Sequence, residues 1–178
     1  LDGCSNTREA AVKRLEEHQK ISPVEMIAVG GQDHTISLLK FDATKRSFTE
    51  VQRITGHVNK INHICFSPNG YWLSSASDDK TVKLFDGRTG KFICTLGKGK
   101  GRFTGSHVGA VYQLAWSPDS RKLISASADT TLKIWSITTQ KLIHDLPGHE
   151  DVVYAVDWSP LGAPAASGGK DKQVKLWR

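Results

Sequence analysis

Cysteine is scarce and unpatterned in this chain. Cys4, Cys65 and Cys94 form an odd set without a Cys-x-x-Cys pair, which argues against a disulfide framework and suits a reducing compartment. No apolar run approaches the roughly 20 residues of a membrane-spanning helix, so no membrane partner is expected. The first twenty residues carry charge throughout, so no secretory leader is expected among them. Net charge is modest too: +6 over 178 residues permits a nucleic-acid or ribonucleoprotein partner without requiring one. With 38% hydrophobic and 24% charged residues, the chain is neither disordered nor fibrous, and it is long enough to bury a core.

What the sequence does have is repetition. INHICFSPNGYWLSSASDDKTVKLFD from Ile61, VYQLAWSPDSRKLISASADTTLKIWS from Val111 and VYAVDWSPLGAPAASGGKDKQVKLWR from Val153 align by eye. Phe66, Trp116 and Trp158 are 50 and 42 residues apart, as are Asp79, Asp129 and Asp171. A partial unit, MIAVGGQDHTISLLKF, precedes them, its Asp33 lying 46 residues before Asp79. Each unit reads as short strands: period-2 alternation, a Ser-Pro turn, a small-residue strand, an Asp-centred turn, then TVKLF, TLKIW or QVKLW. Four strands recurring about every 42 residues match the period of WD repeats and the blade of a β-propeller. The fold class is therefore all-β, an incomplete WD-repeat arc of about three and a half blades. Fourteen strands are expected, the first blade lacking its inner strand and the last its outer one, which reads as the C-terminal part of a longer chain.

His57, His107 and His149 each precede a first strand, and Asp79, Asp129 and Asp171 follow 22 residues later. Serines stand two or four positions before the aspartate (Ser75 and Ser77, Ser125 and Ser127, Ser167), and Phe85, Trp135 or Trp177 six after it. In WD-repeat proteins such residues form a buried chain: aspartate accepts, imidazole bridges, serine relays and indole donates. Phe85 has no N–H, so the second unit's chain must end early or recruit water. The first unit has Leu39 there and no matching histidine.

Two segments interrupt the repeat. Asn6 to Glu9 resembles a capping box opening a short helix over 6–20, which Pro23 stops; residues 1–23 are read as a helical insertion or linker. The propeller part, 24–178, divides into a partial blade 24–57, blades 58–107 and 108–149, and a partial blade 150–178. The second interruption, GKGKGRFT at 97–104, leaves two readings open: a flexible insert, or an RNA phosphate contact through Lys98, Lys100 and Arg102.

Catalytic and metal readings fare poorly. Ser, His and Asp recur with every unit and so serve the repeat rather than a hydrolase triad, and no Gly-x-Ser-x-Gly elbow occurs. His57, His63 and Cys65 lack zinc-ligand spacing, and no phosphate-loop motif is satisfied. No enzyme activity, cofactor or metal is expected. Lys83, Lys133 and Lys175, four residues after each aspartate, read as solvated strand positions. The His–Asp pairing puts the loop before strand one and the turn after strand two on one face. Lys60, Asn62, Asp78, Tyr112, Tyr154 and Lys170 are the candidate partner-binding residues there. The tyrosines fit either a binding hot spot or packing against the next blade.

GHVNKINHICFSPNG, LFDGRTGKF, SHVGAVYQLAWSPDSRKL, DLPGHEDVVYAVDWSP and ASGGKDKQVKLWR resemble the closing blades of the Notchless family of ribosome-assembly factors. The resemblance covers residues 24–178. It implies a non-catalytic scaffold of the nucleus and nucleolus, acting in maturation of the large subunit and docking on pre-60S particles. It also implies a midasin-type AAA ATPase partner, engaged through an N-terminal ubiquitin-like domain that these 178 residues do not contain. The insertion at 97–104 and Phe85 in place of tryptophan depart from the family pattern. The competing reading is a substrate-recognition propeller of a ubiquitin ligase, or a signalling adaptor.

Overall fold

The computed structural model describes residues 26–97 and 105–178. The expected helix over 6–20 and the loop with Lys98, Lys100 and Arg102 lie outside the described residues. Fourteen strands fall within them, in four antiparallel sheets. The first comprises β1 (Met26–Gly30), β2 (Ile36–Asp42) and β3 (Ser47–Ile54); the second β4 (Ile61–Phe66), β5 (Trp72–Ser77), β6 (Val82–Asp86) and β7 (Phe92–Thr95). The third holds β8 (Val111–Trp116), β9 (Lys122–Ser127), β10 (Thr131–Ser136) and β11 (Leu142–Pro147); the fourth β12 (Val153–Trp158), β13 (Ala165–Gly169) and β14 (Val174–Trp177). In every sheet each strand pairs with the next in the chain. The grouping of three, four, four and three is the one the repeats predict.

The sheets stack as blades around an axis. The innermost strands β4, β8 and β12 neighbour one another, and β1 lies against β4 as β5 lies against β8 and β9 against β12. The core therefore sits between blades. Ile36, Leu38 and Ile54 meet Leu73 and Phe85; Leu84 and Leu96 meet Leu114 and Trp135; Ile124 and Leu132 meet Val153 and Val156. Alternation breaks down where both faces are covered: β5 and β9 are buried at five of six positions. Their Ser and Ala residues suit a strand sandwiched between two sheets, where large side chains on both faces would force the blades apart.

In an antiparallel four-stranded sheet the first and third turns share one end, and the second turn shares the other with the link to the next blade. Cross-blade bonds hold like ends together. The backbone N–H of Asn69, in the first turn of blade two, donates to Ser120 Oγ in the same turn of blade three at 3.2 Å. Backbone bonds from Gly87 to Tyr71 (2.8 Å) and from Ile137 to Arg121 (3.0 Å) tie the third turn to the first within each blade.

The opposite end carries the Asp-centred turns. The residue after each turn aspartate adopts a left-handed backbone: His34, Lys80, Thr130 and Lys172, with φ of 63°, 69°, 68° and 61°. A β-branched threonine is a poor occupant of that region. Thr130→Asn is expected to stabilise the protein by about 1 kcal/mol, a rise of about 2–4 °C in Tm for a chain of this size, measurable by thermal denaturation.

The innermost pairing of blades two to four shifts register at one equivalent place, between Ile61 and His63, Val111 and Gln113, and Val153 and Ala155. Such bulges re-aim the extra side chain. Here that side chain is Asn62, Tyr112 or Tyr154.

Candidate functional site

Each His–Asp pair closes as a clasp. His57 Nδ1 lies 2.7 Å from Asp79 Oδ2, and the pairs His107–Asp129 and His149–Asp171 each measure 2.8 Å. An ionised carboxylate only accepts, so Nδ1 carries the donating hydrogen; in the neutral ring Nε2 accepts the serine hydroxyl. Those hydroxyls belong to Ser75, Ser125 and Ser167, at 2.6, 2.7 and 2.8 Å. The Trp135 indole N–H then donates to Ser125 Oγ, and that of Trp177 to Ser167 Oγ, both at 2.9 Å.

The aspartates collect more donors. Asp79 Oδ2 also accepts the Val58 N–H and its Oδ1 the Thr81 hydroxyl; Asp129 accepts from Val108 and Thr131 in the same way. Asp171 accepts from the Glu150 and Gln173 backbone N–H groups. Burial pushes the Asp79 and Asp129 carboxyls up. The hydrogen bonds and the nearby imidazoles outweigh it and hold both well below the usual carboxylate range. Asp171 is held low by the same balance of causes.

Serine position resolves two roles that the sequence merges. The serine four before the aspartate is the relay. The serine two before it is not in the histidine chain: Ser77 Oγ and Ser127 Oγ accept the N–H of Asp79 and Asp129 and so brace the turn. Ser127 therefore belongs to the Asp turn. In blade two no indole reaches Ser75; Phe85 is 1% exposed and packs edge-on against Phe92, centroids 5.8 Å apart. Blade three pairs Trp135 with Leu142 where blade two pairs Phe85 with Phe92. Phe85→Trp alone overfills that position and is expected to cost about 1–3 kcal/mol. Adding Phe92→Leu makes room for the indole, so the double variant is expected to match or exceed the parent in urea midpoint.

Of the lysines after the aspartates, Lys133 is buried, contrary to the sequence expectation, while Lys83 and Lys175 are half-buried. Lys133 is 6% exposed, its ammonium 2.9 Å from Asp145 Oδ2. Lys83 reaches Thr95 Oγ1 at 3.2 Å, over the Phe92 ring, and Lys175 donates to the Gly148 carbonyl. Each stem lies along its sheet and its head finds a partner on the outer strand or loop.

The six candidate partner residues gather at the clasp end but are not uniformly exposed. Asn62 is half-buried and donates to Asp78 Oδ1 (2.7 Å) and, across the blade boundary, to the Val111 carbonyl (2.9 Å). Asp78 also pairs with Lys60 at 3.4 Å, and Lys170 with Asp151 at 3.3 Å. Tyr112 is half-buried against Tyr154, centroids 5.2 Å apart, while Tyr154 stays 50% exposed. Packing across the blades and an exposed aromatic surface therefore coexist. Val58 and Val108, next to their clasp histidines, are 81% and 76% exposed on this end. Sequence reading missed both, although a valine following two of the three histidines was there to see.

A cleft of about 290 Å³ lies between β1 and β4, lined by Ala28, Val29, Gly30 and Ile61 to Ile64. His63 Nδ1 is buried there without a partner, and burial holds its imidazole below the ordinary value. His57 is committed to its clasp and Cys65 to Ser74 at 3.2 Å, so these groups do not converge as ligands. Among the described residues no cluster of three His, Cys, Asp or Glu could hold a metal ion.

A family model described as WD domain, G-beta repeat matches residues 48–86, 97–136 and 140–178. The chain belongs to this WD-repeat family. Among individual proteins, this WD-repeat chain is 47% identical over 97 residues to Ribosome assembly protein 4 of Saccharomyces cerevisiae, covering 52% of this chain and 18% of that protein. It is 46% identical over 86 residues to the Notchless protein homolog of Arabidopsis thaliana, covering 48% and 17%. Nuclear distribution protein nudF 1 of Talaromyces marneffei is 36% identical over 91 residues, covering 51% and 19%. The WD-repeat chain thus spans less than a fifth of the length of these relatives.

Proposed function

We propose that the chain is a non-catalytic WD-repeat scaffold of ribosome biogenesis that docks on pre-60S particles in the nucleus and nucleolus. The observation that carries this reading is the similarity to Ribosome assembly protein 4 and the Notchless homolog, at 47% and 46% identity. The geometry supports the non-catalytic part. Ser75, Ser125 and Ser167 are at most 3% exposed, and each hydroxyl is already held by an imidazole and, in two blades, an indole. A substrate carbonyl has no approach to them. The partial blade 24–57, blades 58–107 and 108–149, and partial blade 150–178 form the docking unit. Lys60, Asp78, Tyr112, Tyr154 and Lys170 face a protein partner, while Asn62 ties two blades. Contact with a midasin-type AAA ATPase is not assigned to these residues.

The test is sedimentation of the tagged full-length protein from cell extract. Co-migration with 60S precursors is the expected result; an entirely free pool overturns the reading.

A further inference from the structure

Charge is separated between the two ends of the arc. At the clasp end, Asp33, Asp78, Asp79, Asp129, Asp151 and Asp171, with Glu150, outnumber four lysines and Arg53. The end carrying the first and third turns is the reverse. Lys45 and Arg46 lie in the third turn of blade one, Arg88 and Lys91 in that of blade two, and Lys141 follows that of blade three; Arg121 and Lys122 follow the first turn of blade three. All are exposed.

Asp42, Asp86 and Asp119 lie in the turns of this end, each occupied by its own turn, and Asp157 near the end of β12 accepts the Trp158 N–H. Asp42 Oδ1 accepts from Thr44 and Lys45 N–H, Asp86 Oδ1 from Arg88 and Thr89 N–H, and Asp119 Oδ1 from Ser117 hydroxyl and Arg121 N–H. Among the described residues they form no side-chain ion pair with these basic residues. The same end presents Tyr71, 50% exposed, with the Arg88 guanidinium 5.4 Å from its ring centre.

We propose that this basic end is a docking surface for the phosphate backbone of structured RNA. Cations spread over successive blades, with no enclosing groove, match phosphates spaced along a strand. Guanidinium groups and an exposed tyrosine add planes on which unpaired bases stack. The choice of RNA over another polyanion rests on the ribosome-assembly reading; the charge separation does not. The surface is distinct from the clasp end, so a protein and RNA fit on opposite ends of one arc.

The test measures binding of the full chain to a fluorescent RNA hairpin with a single-stranded loop, across a salt series. One variant carries Arg88→Gln, Arg121→Gln and Lys122→Gln. A charge-matched control at the clasp end carries Arg53→Gln, Lys80→Asn and Lys172→Asn. The first is expected to lose about tenfold or more in affinity and to flatten the salt dependence, with unchanged circular dichroism, while the control stays within about twofold of the parent. Equal losses in both, or none in the first, overturn the proposal. So does competition by poly-glutamate as effective as by RNA, which assigns the surface to an acidic protein. The gradient experiment separates the two readings. If the first variant binds RNA normally but the parent sediments with 60S precursors, this surface falls and the assembly role stands. The converse pair of results leaves the surface and removes the role.

Discussion

Trp135→Ala is expected to destabilise the protein by about 3–5 kcal/mol, among the larger effects of any single core truncation. The indole is 1% exposed, packs in the core between blades two and three, and donates to the relay hydroxyl of Ser125. Truncation leaves a cavity between two sheets whose positions are fixed by other contacts, so collapse recovers little. Trp135→Phe separates the two contributions. It keeps most of the packing and removes only the N–H, so a loss of about 1 kcal/mol is expected. Urea denaturation of the three proteins checks both; a loss below about 1 kcal/mol for the alanine variant would place the side chain elsewhere.

The second large effect is Asp129→Ala, expected to cost about 3–5 kcal/mol because it strands the buried His107 N–H together with the Val108 and Thr131 donors that the carboxylate accepts. The equivalent residue in blade one is the internal control. Asp33 is more than half exposed, has no histidine, and its nearest charge is Arg53 at 3.9 Å; Asp33→Ala is expected to leave the urea midpoint close to that of the parent. The sign of the pH dependence follows from the lowered carboxyls. Their stabilisation is complete above the ordinary value of 3.8 and is lost as pH falls below it toward the folded-state values. Between pH 6 and pH 2 the parent therefore loses stability more steeply than Asp129→Ala. Equal acid limbs for the two proteins would contradict the clasp.

Sequence and structure agree where the determinant is local. Period-2 alternation, Ser-Pro turns and the 22-residue His–Asp interval involve residues whose partners lie in the same blade, and these gave strand count, blade count and clasp. The misreadings share a different cause. Ser125 and Ser127 project to the same side of β9, and only the turn geometry separates relay from brace. Lys133 looked solvated because its burial depends on β11 and Asp145, not on its own strand. The bond from the Trp116 indole to Ser74 Oγ, 3.0 Å, joins two blades across 42 residues, and no spacing rule within one repeat shows it. The basic end was equally hidden, because its residues come together only once each turn is assigned to an end.

That cross-blade bond has company: Asn62 to the Val111 carbonyl, Asn69 N–H to Ser120, and Gln113 to the Val156 N–H. Coupling of this kind joins nearest neighbours only, so the arc is thermodynamically a short one-dimensional lattice. A defect in one unit lowers the protection of the unit beside it and decays beyond. Amide exchange after damage to blade three would thus accelerate in blades two and four while blade one keeps its own rate, and the boundary between ordered and opened units would move along the arc one interface at a time.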